Sequence, residues 1–372
     1  MNLDILSFFN TERRLYDLQG GSALAGLLVE AWSQREQLSQ PWELHISALS
    51  LRADLNTDAM LGQRADLLTT LSDGSHVARS GIVLAAEALD ADGGFARYRL
   101  QVGPWLALLT HTRRSQVWQE RSLQQIIDSV FADYQTHAAW RWAADVQEHL
   151  NASTFSNPEG LRSYCVQYRE TDLAFVQRLL AEEGLVCRFE PDEAAPLGHA
   201  LVVFADSAQV ESCPEDASSK SALGGAGIRF HRDAAVEEQD TIQAFGGQRT
   251  LQSTAVTTLA WDYKARRAVA ASLPTAYAFA GSNSASLAPV LESYQSPGAY
   301  AHADSARAQR GAELMLQTLE ARQKSWLGRG TVRSFTVGRS FALTQSDLDV
   351  LASLGAAHSE RDDCGRHRAW RP

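Results

Sequence analysis

Two acidic pairs, Glu182-Glu183 and Glu237-Glu238, are the side chains in this sequence whose type and spacing come nearest to a chemical device. Glycoside hydrolysis needs two carboxylates set apart across a cleft, one to donate a proton and the other to attack or to activate water. Adjacent residues on a helix point away from each other, so Glu182 and Glu183 make a poor acid and base pair. The ten histidines are scattered, and none has a second histidine or a carboxylate at metal-ligand spacing. The four cysteines, Cys165, Cys187, Cys213 and Cys364, include no CxxC pair. They signal neither a disulfide framework nor a zinc site, and reduced core thiols are expected. HExxH, GxSxG, P-loop and GxGxxG patterns are absent, and Gly20-Gly21-Ser22 lacks the second glycine at the required offset. The expectation is a protein with no catalytic residue, no cofactor and no metal.

The pair at 182–183 belongs to residues 162–189, RSYCVQYRETDLAFVQRLLAEEGLVCRF, where the local period changes twice. Tyr164, Val166 and Tyr168 alternate with Cys165 and Gln167, giving an extended segment one aromatic and β-branched face and one smaller, more polar face. Thr171 then caps a helix. Asp172 falls in its first turn, where a carboxylate meets the positive end of the dipole, and Leu173, Val176, Leu179 and Leu180 form a stripe at helical spacing. Gly184 stops the helix by taking the left-handed conformation, and residues 185–189 resume an extended pattern. With no complementary base, ligand or nucleophile elsewhere, the polar residues of the stretch read as caps and exposed faces.

The rest of the chain is mostly strand-like. Trp42, Leu44 and Ile46 alternate with Glu43, His45 and Ser47, and Asp73-Gly74 marks a hairpin between strands at 65–71 and 76–84, with a further strand at 95–102. Such closely spaced strands fit a small barrel or sandwich. Ser122 with Gln125 makes a capping box for a helix whose buried face is Leu123, Ile126, Ile127, Val130, Phe131 and Tyr134. Residues 200–206 read as a buried strand, 207–227 as a loop, 270–300 as an irregular connection and 305–325 as a helix closed by a turn at 326–330. The last strands are expected from Val332, Phe335, Val337, Phe341 and Leu343.

Composition bounds the rest. The chain has 372 residues, enough for two or three domains, and 45% of them are hydrophobic, nine being tryptophan, so it has the apolar surface to fold. Its net charge of −10 disfavours nonspecific binding to nucleic acid, which needs a basic face. The N-terminal residues lack a signal-peptide pattern, and no stretch approaches the roughly 20 apolar residues that span a bilayer. Synthesis in the cytoplasm is expected.

The run Tyr-x-Val-Gln-Tyr, acidic helix start and Glu-Glu-Gly exit resembles the signature segment of the VgrG family, spike-base proteins of type VI secretion systems related to phage tail baseplate hub proteins. The residues carrying it are Tyr164, Val166, Gln167, Tyr168, Asp172, Phe175, Leu179, Glu183 and Gly184. Glu36, Leu38, Ser39, Trp42, Leu61-Gly62-Gln63 and Gly81 resemble the family's first barrel, and Pro104-Trp105 its exit. Residues 228–232, 237–242 and 261–264 resemble parts of the second. The resemblance covers about residues 10–345, the base of the family's spike without its OB-fold and β-helix needle; residues 359–368 depart from it.

It implies a mainly β fold with helices (α+β): two similar β-barrel domains, 1–112 and 161–350, joined by a small helix-containing linking domain, 113–160, with an irregular tail at 351–372. Residues 162–189 would open the second barrel. The implied function is structural, as the homotrimeric base of a spike that seats on a hexameric tube of Hcp-like subunits. Baseplate proteins and effectors or adaptors are further partners, with no nucleic acid and no membrane span. The protein would be made in the bacterial cytoplasm and assembled into, or exported by, the apparatus. The other class considered is a β-rich hydrolase or carbohydrate-binding protein, which needs paired carboxylates in a cleft or stacked tryptophans.

Overall fold

The computed structural model describes residues 15–71, 74–92, 94–151, 160–221, 227–231, 240–263, 266–275, 291–298, 302, 304–344 and 367–368. Six strands, β1 (Tyr16–Gly20), β2 (Leu28–Arg35), β3 (Glu43–Ser50), β4 (Arg64–Thr70), β5 (His76–Asp92) and β6 (Phe95–Gly103), form one antiparallel sheet in the order β1-β4-β5-β6-β3-β2. The expected alternation holds: Trp42, Leu44 and Ile46 are buried while Glu43 and His45 face solvent. A sheet of this size curls with its own twist. Tyr16 and Trp32, on the two edge strands, meet edge to face at 5.9 Å, so the curl brings the edges together into a half-barrel. Gly74 of the predicted hairpin turn donates its N–H to the Leu71 carbonyl; Asp73 lies outside the described residues.

After a 3-10 segment at Trp105–His111, the chain continues through β7 (Arg113–Trp118), α1 (Leu123–Ala132), β8 (Trp140–Trp142) and α2 (Asp145–Asn151). It then runs into β9 (Cys165–Thr171), α3 (Asp172–Glu183), β10 (Val186–Pro191) and β11 (His199–Phe204). The capping box of α1 is present: the Ser122 hydroxyl accepts from the Gln125 N–H and the Gln125 side chain accepts from the Ser122 N–H. Every residue of β11 is buried, as a continuous apolar run requires. Strand β9 pairs with β7, and β10 pairs with β11, which in turn runs parallel to β8. One hydrophobic core extends from Leu18 to Cys213, with Trp105, Phe131 and Trp140 packed ring against ring where the curled sheet meets α1.

The remaining elements are α4 (Ala217–Ser221), inside the expected loop, β12 (Ile228–Arg229), β13 (Ile242–Arg249), β14 (Ala255–Asp262), β15 (Arg267–Pro274), β16 (Glu292–Gln295), α5 (Ser305–Gln323), β17 (Lys324–Gly330), β18 (Ala342–Thr344) and β19 (His367–Arg368). They make small sheets, β12-β18-β19, β13-β17 and β15-β14-β16, and a second core of Ile228, Ile242 and Leu343. Three expectations change here. The expected turn at 326–330 is part of β17, paired antiparallel with β13 across one bulge between Ile242 and Ala244. Of the expected last strands only Ala342–Thr344 forms, because Phe335 and Phe341 reach the core from irregular backbone. The expected irregular connection at 270–300 contains the end of β15 and all of β16; residues 276–290 lie outside the described residues.

Candidate functional site

Helix α3 buries Asp172, Phe175, Val176, Leu179, Leu180 and Glu183. This is a stripe at helical period whose two ends are carboxylates, which corrects the expected stripe at Leu173, a half-buried residue. It also corrects the reading of the polar residues as exposed caps. Asp172 is 0% exposed, Gln167 0% and Glu183 3%. Buried carboxylates need partners, because desolvation of an unpaired charge costs several kcal/mol.

Each carboxylate has one. Asp172 Oδ2 accepts from Arg114 Nη2 at 2.8 Å and from the Tyr134 hydroxyl at 2.9 Å, while Oδ1 accepts from Gln167 Nε2 at 2.8 Å. Burial pushes the Tyr134 phenol up, which keeps it a donor. At the other end Glu183 Oε1 accepts from Arg162 Nη2 at 2.6 Å and Glu182 Oε2 from Arg162 Nη1 at 2.8 Å. Arg178 donates to Glu182 and Glu170 and to the Val166 carbonyl. Its hydrogen bond to Glu170 is the largest of the effects that raise its pKa further. Sequence reasoning missed Arg114, Tyr134 and Arg162 as partners, since they lie 58, 38 and 21 residues from the acids they hold. The Arg178 and Glu182 pair at i,i+4 was the one legible signal.

The helix ends as the sequence predicts. Thr171 accepts from the Ala174 N–H, and Gly184 sits at φ +72° with the Leu185 N–H on the Leu180 carbonyl. Helix and curled sheet are then tied together: Gln177 donates to the Ser39 carbonyl at 2.8 Å, and Ser39 and Cys187 exchange two hydrogen bonds. Cys165, Cys187 and Cys213 are free and buried, and burial pushes Cys187 up to about 12; Cys364 lies outside the described residues.

Strand β9 faces the core with Cys165 and Gln167 and solvent with Tyr168, which is 65% exposed, as is Tyr164 (60%) just before it. The polar face is thus the buried one, because Asp172 supplies a partner for Gln167. Val166 is half-buried, and a bulge at Arg169, φ +54°, carries that guanidinium over the Tyr168 ring.

Chemically, this arrangement holds rather than transforms. A general acid needs a raised pKa and a general base needs a free lone pair facing a cleft. Glu170, Glu182, Glu183 and Asp172 accept from guanidinium donors, and Asp172 also from the Gln167 amide and the Tyr134 hydroxyl. Among the described residues no group of three or more His, Cys, Asp or Glu is placed to hold a metal. Glu237 and Glu238 lie outside the described residues.

The model of the phage tail baseplate hub (GPD) family matches residues 35–353. The chain belongs to that family. It is 27% identical to the type VI secretion system spike protein VgrG1b of Pseudomonas aeruginosa over 319 residues, 86% of this chain and 39% of that protein. It is 30% identical to VgrG4b of the same species over 309 residues, 82% of this chain and 33% of that one. The chain therefore spans well under half the length of these curated relatives. In fold it is similar to the Escherichia coli c3393 protein, described as a type VI secretion component, with a TM-score of 0.58 at 16% identity, covering 89% of this chain and 68% of that one. It is also similar to the 43 kDa tail protein of prophage MuSo2 from Shewanella oneidensis, with a TM-score of 0.57 at 11% identity, covering 94% and 95%. No helix among the described residues is long and apolar enough to cross a membrane.

Proposed function

We propose that this protein is a non-enzymatic structural component of a type VI secretion apparatus, three copies of which form the base of the spike and seat on a hexameric tube of Hcp-like subunits. The observation that carries the reading is the hub-family match over residues 35–353 together with identity to VgrG spike proteins over more than four fifths of the chain. Two similar β domains per chain, repeated three times, give a pseudo-sixfold surface that fits a sixfold tube. In this reading residues 1–112 and 161–350 are the two β-barrel domains, 113–160 the linking domain and 351–372 the tail. Tyr164, Val166, Gln167, Tyr168, Asp172, Phe175, Leu179, Glu183 and Gly184 are structural residues of the family motif, of which Gln167, Asp172 and Glu183 hold β9 and α3 in place. The protein is made in the bacterial cytoplasm and joins the apparatus there, with baseplate proteins and effectors or adaptors as further contacts.

The test is co-purification. The protein should be retained on an immobilised hexameric tube protein from the same bacterium, and failure to bind under conditions where a full-length spike relative binds would overturn the reading.

A further inference from the structure

Strand β7 is paired on one side only: its partner is β9, and among the described residues its other edge bonds to no strand. Beside β7 lies a cavity of about 360 Å³. Arg114, Gln116 and Trp118, alternate residues on one face of the strand, line it together with residues of α1, and no residue of β9 or α3 does. The cavity is therefore a trough on the unpaired side of β7, between that edge and the helix. Its frame is fixed before anything binds. The Trp118 indole N–H donates to the Ser129 hydroxyl of α1 at 3.2 Å, and Arg114 pairs with Asp133 at one end. Arg121 and Gln125 stand at the other end, beside the N-terminus of α1. Gln125 accepts from the Ser122 N–H through Oε1 and leaves its amide N–H groups unused, while the side chains of Arg121 and Gln116 bond to no described residue. Arg114 is committed to Asp133 and Asp172, so Arg121 is the cation left for a ligand, and the positive end of the α1 dipole adds to it.

We propose that the free edge of β7 takes an extended segment of another protein as an added strand, and that Arg121 receives a carboxylate which this segment turns into the trough. Strand addition draws its affinity from the edge's unpaired N–H and C=O groups and its specificity from pockets for alternate side chains. Alternate side chains of a strand are about 7 Å apart, and binding pockets run from roughly 300 to 1,000 Å³, so this one holds one or two side chains rather than a cofactor. The unused groups at its open end are donors, one of them a guanidinium, which selects a carboxylate. On the opposite face of β7 Val117 is 48% exposed, so the side chains between the carboxylates are apolar. The occupant thus alternates acidic inward and apolar outward. Basic residues on an edge also serve to prevent pairing, and a guarded edge binds no such strand. The inference is independent of how the chain seats on a tube.

The test is fluorescence anisotropy of the full chain with a labelled, end-blocked hexapeptide that alternates valine and glutamate. The peptide should bind, and either its glutamine counterpart or Arg121→Gln should weaken binding at least about tenfold, with the melting temperature of the variant unchanged. In an added strand the N–H groups of successive residues point to opposite edges, so of two peptides N-methylated on all valines or on all glutamates one should lose binding and the other keep it. If Arg121→Gln fails to fold, the glutamine and methylated peptides decide on the wild type. No binding at up to about 1 mM peptide makes β7 a guarded edge and overturns the inference. Equal binding of the glutamate and glutamine peptides, or equal effects of the two methylations, also overturns it. A peptide that binds by dissociating an oligomer of the chain assigns the edge to a second copy and overturns it too.

Discussion

Arg162 and Glu183 meet at 2.6 Å between Nη2 and Oε1, with both side chains almost wholly removed from solvent. The pair fastens the C-terminal end of α3 to the chain just before β9, and Arg114 with Asp172 does the same at the other end of the helix, at 2.8 Å. A helix whose buried stripe is closed at each end by an ion pair has one register against its neighbours, because any slip would leave a buried charge alone.

Glu183→Gln therefore removes the charge facing a buried guanidinium and should destabilise the fold by about 3 kcal/mol. Glu182→Gln, at a side chain nearly a third exposed with Arg162 also held elsewhere, should cost less than about 1 kcal/mol. Urea titration of the two variants separates them; equal losses would show that burial of Glu183 does not set the strength of the clamp.

Gly184→Val should be severe for two separable reasons. A side chain at φ +72° is strained, and its Cβ would overlap Leu314 of α5. A loss of about 3 kcal/mol is expected, and adding Leu314→Ala should recover the overlap part and leave the backbone part. No recovery in thermal melts of the double variant would mean that the contact with α5 is not a constraint.

Ser122→Ala removes a cap that satisfies one otherwise unpaired helix N–H, and should lower stability by about 1 kcal/mol, with Ser122→Asp close to neutral. Chemical denaturation reads both.

His199 gives a pH dependence. It is buried beside Trp42 and Phe189, its Nδ1 lies 2.9 Å from the Ser80 carbonyl and 3.0 Å from the Leu197 carbonyl, and its Nε2 accepts from the Trp105 N–H. A second proton on Nε2 would face that N–H. Burial pushes the imidazole down from 6.5 to about 4. The unfolded chain then binds a proton before the folded one does, so the stabilisation is complete above pH 6.5 and is lost as pH falls toward 4, on the order of 3 kcal/mol in all. Stability measured across that window should decline for the wild type and flatten in His199→Gln; identical slopes would contradict the assignment.

Much of the fold was readable because it rests on local rules. Ser122 and Gln125, Thr171, Gly184 and the apolar run of β11 act within a few residues of themselves, and each forms as its type demands. What was not readable depends on distant partners. Gln167 and Asp172 look like surface residues until Arg114 and Tyr134 arrive from β7 and the end of α1, and only then is the polar side of β9 the inner one. Residues 326–330 look like a turn because Gly328 and Gly330 break no rule there. Their strand exists through pairing with β13, some eighty residues earlier. The ion pairs of Asp172 and Glu183 were not readable, since the arginines completing them carry no periodic signal.

The central claim is that this chain is a spike base built to match a sixfold tube, and native mass spectrometry of the protein mixed with its tube ring tests it most directly. The account predicts a complex of three copies of this chain on one hexameric ring. A complex with one or six copies per ring, or no complex at concentrations where both components are folded, would contradict it.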